Sequence, residues 1–188
     1  MVLLCLGTAE AHATFLPRQA AQVVAGAVEQ TSYTRLYDPA YVPLAYPGGD
    51  PPPDRGVCSD VVVRAFRRAG VDLQKEVHKD MARNFSAYPK EWHLRAPDPN
   101  IDHRRVPNLM TFFTRMGKSL PVSKRPEDYA PGDVVAWDLG GGILHIGVVS
   151  DTRAADSHDY EIVHNIGAGA RLEDVLFSWT IVGHYRYF

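Results

Sequence analysis

A cysteine followed much later by two histidines, Cys58, His145 and His164, is the set of residues in this chain best suited to covalent chemistry. Cys58 stands in DRGVCSDVVVRAFRRAG (54–70), after a glycine and at the start of a run with helical spacing. Positions 58, 62, 65 and 69 of a helix share one face, so the thiol lies above Val62, Ala65 and Ala69 on the side that packs inward. Arg64, Arg67 and Arg68 fall elsewhere and read as a basic face turned to solvent. A thiol at a helix N-terminus meets the positive end of the helix dipole, which favours the thiolate, and unpaired N–H groups there can receive an oxyanion. Gly56 would allow a substrate backbone to approach closely. The chemistry expected is attack of sulfur on a carbonyl carbon.

Such a nucleophile needs a base. In ILHIGVVS, His145 shares a strand face with Ile143, Gly147 and Val149, and in YEIVHNIG, His164 shares one with Tyr160 and Ile162. A histidine on an apolar strand face is most often a hydrogen-bonded core residue. If the two strands pair across TRAADSHD, however, His164 lies near His145, giving a nucleophile, a base and an orienting group. Asn165 competes with His164 for the last role. DHRR (102–105) is by default a solvated loop, but Arg104 or Arg105 could grip a substrate carboxylate with a guanidinium fork. Ser59 and Asp60, next to the thiol, join the candidates for substrate contact. The other histidines show no HExxH or CxxC-type ligand spacing, so no metal or other cofactor is expected.

The elements that must position these groups are legible in outline. Residues 16–32 and 56–69 have helical periodicity, 74–90 suggests another helix, and Pro107 opens a further one. Prolines and Gly48-Gly49 exclude a long helix between the first two. From PEDYAPGDVVAWDL onward, four strands are separated by turn residues. Helices followed by an antiparallel sheet make a single α+β domain over 14–188. The whole chain of 188 residues carries a net charge of −2, which argues against a general nucleic-acid binder, and no run approaches the roughly 18 apolar residues of a membrane span. VLLCLG and the small-x-small Ala11-His12-Ala13 read as a truncated signal peptide over 1–13, implying a periplasmic or secreted protein. Cleavage there would remove Cys5 and leave Cys58 alone, which excludes a disulfide framework.

Taken together, GVCSDVVVRAFRRAGVDL, APGDVVAWD, LHIGVVSD and IVHNIG resemble, in order, the motifs of the NlpC-type cell-wall cysteine peptidases. The resemblance covers roughly residues 40–188. It implies a papain-like fold, the nucleophile helix packed on an antiparallel sheet, with Cys58 as nucleophile, His145 as base and His164 as third residue. AYPGGD resembles the element ahead of the cysteine and implies Tyr46 as a site-lining residue. The implied activity is cleavage of an amide bond in the peptide stem of peptidoglycan. Thiol chemistry on a lipid or other acyl group, and a non-catalytic cell-wall-binding module, are the alternatives. Val57, Asp60 and the insertion over 84–108 depart from the pattern.

Overall fold

A computed structural model describes residues 16–188. The leader expected over 1–13, and Cys5 within it, lie outside the described residues. Four helices precede the main sheet: α1 (Arg18–Gln30), α2 (Cys58–Arg68), α3 (Leu73–Asn84) and α4 (Val106–Arg115). Between α1 and α2, β1 (Leu36–Tyr37) and β2 (Arg55–Gly56) form a small parallel pair. β3 (Val134–Asp138), β4 (Leu144–Arg153), β5 (Tyr160–His164), β6 (Arg171–Glu173) and β7 (Thr180–Tyr185) make one antiparallel sheet, ordered β6-β5-β4-β3-β7. This is the α+β, papain-like arrangement, with the cysteine-bearing helix against a sheet that bears the histidines. Among the described residues, no helix is long and apolar enough to cross a membrane.

Helix α2 holds the centre. Val61, Val62 and Val63 are poor helix formers, at roughly 0.5 kcal/mol each relative to alanine. All three are buried, and burying each side chain is worth roughly 1.5–3 kcal/mol, so packing decides the conformation. Phe66, Phe113, Ile146 and Val148 fill the core between the helices and the sheet. A second cluster, built on Trp137, Val149, Ile162 and Leu176, covers the sheet's other face.

The expected basic solvent face of α2 is corrected by the structure. Arg64 is buried; its Nε donates to both Asp50 carboxylate oxygens at 3.0 and 2.9 Å, and Nη2 donates to the carbonyls of Pro51, Pro52 and Arg55. Arg67 donates to the Gly49 carbonyl at 2.7 Å. A segment that cannot form its own ladder thus finds its hydrogen-bond partners on the arginines of α2. Only Arg68, paired with Glu29, is on the exposed surface.

Candidate active site

Cys58 is the first residue of α2 and is 5% exposed. Asp60, two residues on, explains the local geometry. Its Oδ2 accepts the Val57 N–H at 2.7 Å, closing the N-terminal turn as the acidic member of a capping box does. A Cβ on Gly56 would stand 2.9 Å from the same oxygen, so the glycine makes room for Asp60 and not for a substrate backbone, as the sequence suggested. The sulfur faces the backbone N–H groups of Ile146, Ser59 and Cys58 itself. It therefore lies against β4 at the residue that follows His145. β4 and β5 pair only from Val148 onward, and Asn165, just past β5, turns its Nδ2 to the carbonyls of Gly56 (2.9 Å) and Leu36 (3.3 Å). Asn165 is thus a brace for the nucleophile turn.

The expectation that the helix dipole lowers the thiol's pKa is also corrected. Burial pushes the Cys58 thiol up to about 12, with the Asp60 carboxylate adding to the rise and the three N–H groups opposing it. In the resting protein this cysteine is a protonated thiol.

The two histidines meet. His145 Nε2 lies 2.8 Å from His164 Nδ1, and His164 Nε2 lies 2.8 Å from Glu173 Oε2 on β6. Gly147 permits this, because a Cβ there would sit 3.2 Å from the His164 Cβ and 2.7 Å from Ile162 Cγ2. Trp137 and Trp179 pack against His145 with ring centroids 5.8 and 5.9 Å away. Burial holds His145 down to about 3, and the neighbouring His164 reinforces the shift. Burial also lowers His164, although Glu173 pulls the other way. Both rings are neutral, and their tautomers follow from the chain of bonds. A carboxylate only accepts, so His164 Nε2 carries hydrogen and its Nδ1 is the acceptor. His145 Nε2 must then donate, which leaves the lone pair on His145 Nδ1. The residue that contacts His145 is His164 and not Asn165.

A cleft of about 320 Å³ opens onto Cys58. Leu144, the residue before His145, forms part of its wall, together with Tyr37, Trp92, Arg104 and Arg105. The two arginines differ sharply. Arg104 donates from Nε and Nη2 to Asp60 at 2.9 and 3.0 Å, and from Nη1 and Nη2 to the carbonyls of Ala40 (2.9 Å) and Asp38 (3.1 Å). Both side chains of the Arg104–Asp60 pair are 2% exposed. Ser59 Oγ donates to the Arg104 carbonyl at 2.6 Å. Ser59, Asp60 and Arg104 therefore form a buried structural clasp, which corrects their reading as substrate contacts. Arg105 lies over the Trp92 ring, 4.1 Å from its centroid, with Nη1 3.4 Å from Asp102 Oδ1. Tyr46 also needs correction: it packs edge-on against His78 (centroids 5.0 Å apart), and the tyrosine in the cleft wall is Tyr37.

The family model described as a domain of unknown function, DUF1287, matches residues 24–187. The chain belongs to the DUF1287 family. Within the curated proteins, this DUF1287 chain is 62% identical over 163 residues to "Uncharacterized protein YijF" of Escherichia coli (strain K12), covering 87% of the chain and 79% of that protein. Two solved structures are similar at lower levels. NlpC1 from Trichomonas vaginalis gives a TM-score of 0.46 at 12% identity, over 89% of this chain and 45% of that one. An NLP/P60 family protein from Staphylococcus aureus gives 0.42 at 14% identity, over 94% and 44%. The chain thus spans less than half the length of either.

Four residues of the DUF1287 site escape sequence reasoning. Glu173 lies on a three-residue strand without alternation, Tyr37 on a two-residue one, and Glu91 and Trp92 in a stretch without regular structure. The one signal available was compositional, a tryptophan beside charged residues in the insertion.

Proposed function

We propose that this protein is a thiol hydrolase that cuts an amide bond in the peptide stem of peptidoglycan, acting in the periplasm or after secretion. The observation that carries the reading is the 2.8 Å bond between His145 Nε2 and His164 Nδ1, in a chain of bonds that ends on Glu173 and starts on the strand whose next residue, Ile146, turns its N–H to the Cys58 sulfur. A histidine bonded in series to a second histidine and a carboxylate, on the strand that meets the thiol, has the make-up of a base with its orienting groups.

In this mechanism the thiol and imidazole are neutral at rest. As Cys58 Sγ bonds to the substrate carbonyl carbon, its proton passes to His145 Nδ1. The imidazolium is stabilised through His164 toward the Glu173 carboxylate. N–H groups of the first turn of α2 receive the oxyanion. When the C–N bond breaks, the leaving amine takes the proton from His145. Water then adds to the thioester with His145 as base, releasing a carboxylic acid and restoring the thiol.

The cleft carries Arg105 and Glu91, charges that suit a polar peptide better than a lipid chain. The test is digestion of purified peptidoglycan, with released peptide ends followed by mass spectrometry and Cys58→Ala as control. New ends produced by the native protein alone support the reading. No cleavage by the native protein, or equal cleavage by the variant, overturns it.

A further inference from the structure

Arg105 is a largely buried cation with almost nothing to bond. Its side chain is 16% exposed, yet among the described residues its one hydrogen-bond partner is Asp102, at a long 3.4 Å from Nη1. The adjacent Arg104 has four donor contacts and a buried carboxylate of its own. The remaining N–H groups of Arg105 are reached by solvent at the cleft wall, where a bound anion can take the place of water. Trp92 fixes the plane of the group from one face, and Asp102, fully buried, anchors one end. Nε and Nη2 are left without a protein acceptor in a side chain that forms part of the wall of the Cys58 cleft.

We infer that Arg105 and Trp92 form a carboxylate subsite, built by the 84–108 insertion, which makes a free carboxylate near the scissile bond the condition for binding. This rests on the hydrolase reading and narrows its substrate to stem peptides whose carboxyl groups are not amidated. Planar, bidentate geometry favours a carboxylate over a point-like anion. Glu91 on the same cleft disfavours ligands of higher negative charge, such as phosphate polymers. An amide in place of the carboxylate presents an N–H₂ group to the guanidinium and loses the charge. Discrimination then comes from a lost charge-assisted pair and an N–H₂ group facing a cation, and not from size.

Cys58→Ala protein, which keeps the ligand intact, separates binding from chemistry. The probes are the tetrapeptide L-Ala–γ-D-Glu–L-Lys–D-Ala and forms of it amidated at the glutamyl α-carboxyl, at the C-terminus or at both, with affinity read by calorimetry. One of the amidations should weaken binding about 10- to 100-fold. The Arg105→Gln change should erase that preference, and Arg105→Lys should restore part of it; circular dichroism checks that each variant is folded. Equal affinity for all four peptides, or no measurable binding of any, overturns the subsite. Cleavage of the same peptides by native protein is scored separately: hydrolysis without carboxylate preference removes only the subsite, and carboxylate-selective binding without hydrolysis removes only the enzyme reading.

Discussion

Glu173 Oε2 stands 2.8 Å from His164 Nε2 and thereby fixes the tautomer of a ring it touches and of a second ring, His145, that it does not. Replacing Glu173 by Leu removes the acceptor and lets both imidazoles choose their tautomers. The expected result is a fall in kcat of roughly 10- to 100-fold, the scale on which orienting partners of histidine act, with KM little changed. Glu173→Gln keeps an acceptor oxygen and should retain more activity than Glu173→Leu. Parallel losses in kcat and KM would assign Glu173 to folding alone. A shift in the downfield imidazole N–H resonances of the Leu variant would report the tautomer change directly.

Gly147 is the steric condition for that pairing. A methyl group there meets Ile162 Cγ2 at 2.7 Å and the Val163 carbonyl at 3.0 Å. Gly147→Ala should cost about 1–3 kcal/mol by overpacking and should displace His164. Urea melts and turnover measured on the same preparation check both effects. Full activity in the variant would mean that the histidine contact is not needed.

The Asp60–Arg104 pair gives a stability prediction of the opposite kind. Removing one partner strands a charge with 2% exposure, so Asp60→Ala or Arg104→Ala should lose about 3–5 kcal/mol. The double change Asp60→Leu with Arg104→Met should lose less than either single change. Chemical denaturation of the three variants measures the coupling.

Protonation should shape stability on both sides of neutrality. Burial depresses His145 to about 3 and His103 to about 4, so below pH 6.5 the unfolded chain binds protons that the folded chain refuses. Stability is therefore complete above that pH and declines as pH falls toward 4 and 3. Asp102, raised by burial to about 6, works against this between about 6 and 3.8, but it is one group against three, since His164 is lowered as well. His145 alone should contribute a loss on the order of 2 kcal/mol between pH 7 and 5, and His145→Gln should remove that part. At the alkaline end, Cys58 is raised from 9.0 to about 12, so its contribution is present below pH 9 and fades as pH rises toward 12. Melting curves from pH 5 to pH 10 on wild type, His145→Gln and Cys58→Ala test both limbs.

What the sequence reveals follows from what periodicity encodes. Cys58, His145 and His164 are visible because a helix start and two alternating strands place them, and the pairing of β4 with β5 does the rest. Arg104 and Arg105 are adjacent and identical in type. What separates them is Asp60, 44 positions away, and no local rule reports that partnership. The basic face of α2 fails for a related reason: a helical wheel does not know that a proline-rich segment will fold over Arg64. The thiol's protonation state also escapes, because dipole and burial act in opposite directions and only packing reveals which is larger.

Asp60 bonds the Val57 N–H with one oxygen and shares the Arg104 fork with both, so one carboxylate joins the turn that carries the thiol to the segment that carries Arg105. On the proposed function, reactivity and selectivity are in this way joined through one carboxylate. A chimaera that imports the 84–108 segment from a relative must bring a matching residue at position 60, or the graft will disturb the nucleophile it was meant to redirect. On the proposed function, the off-pattern aspartate is the joint at which specificity would be exchanged, and only as a pair.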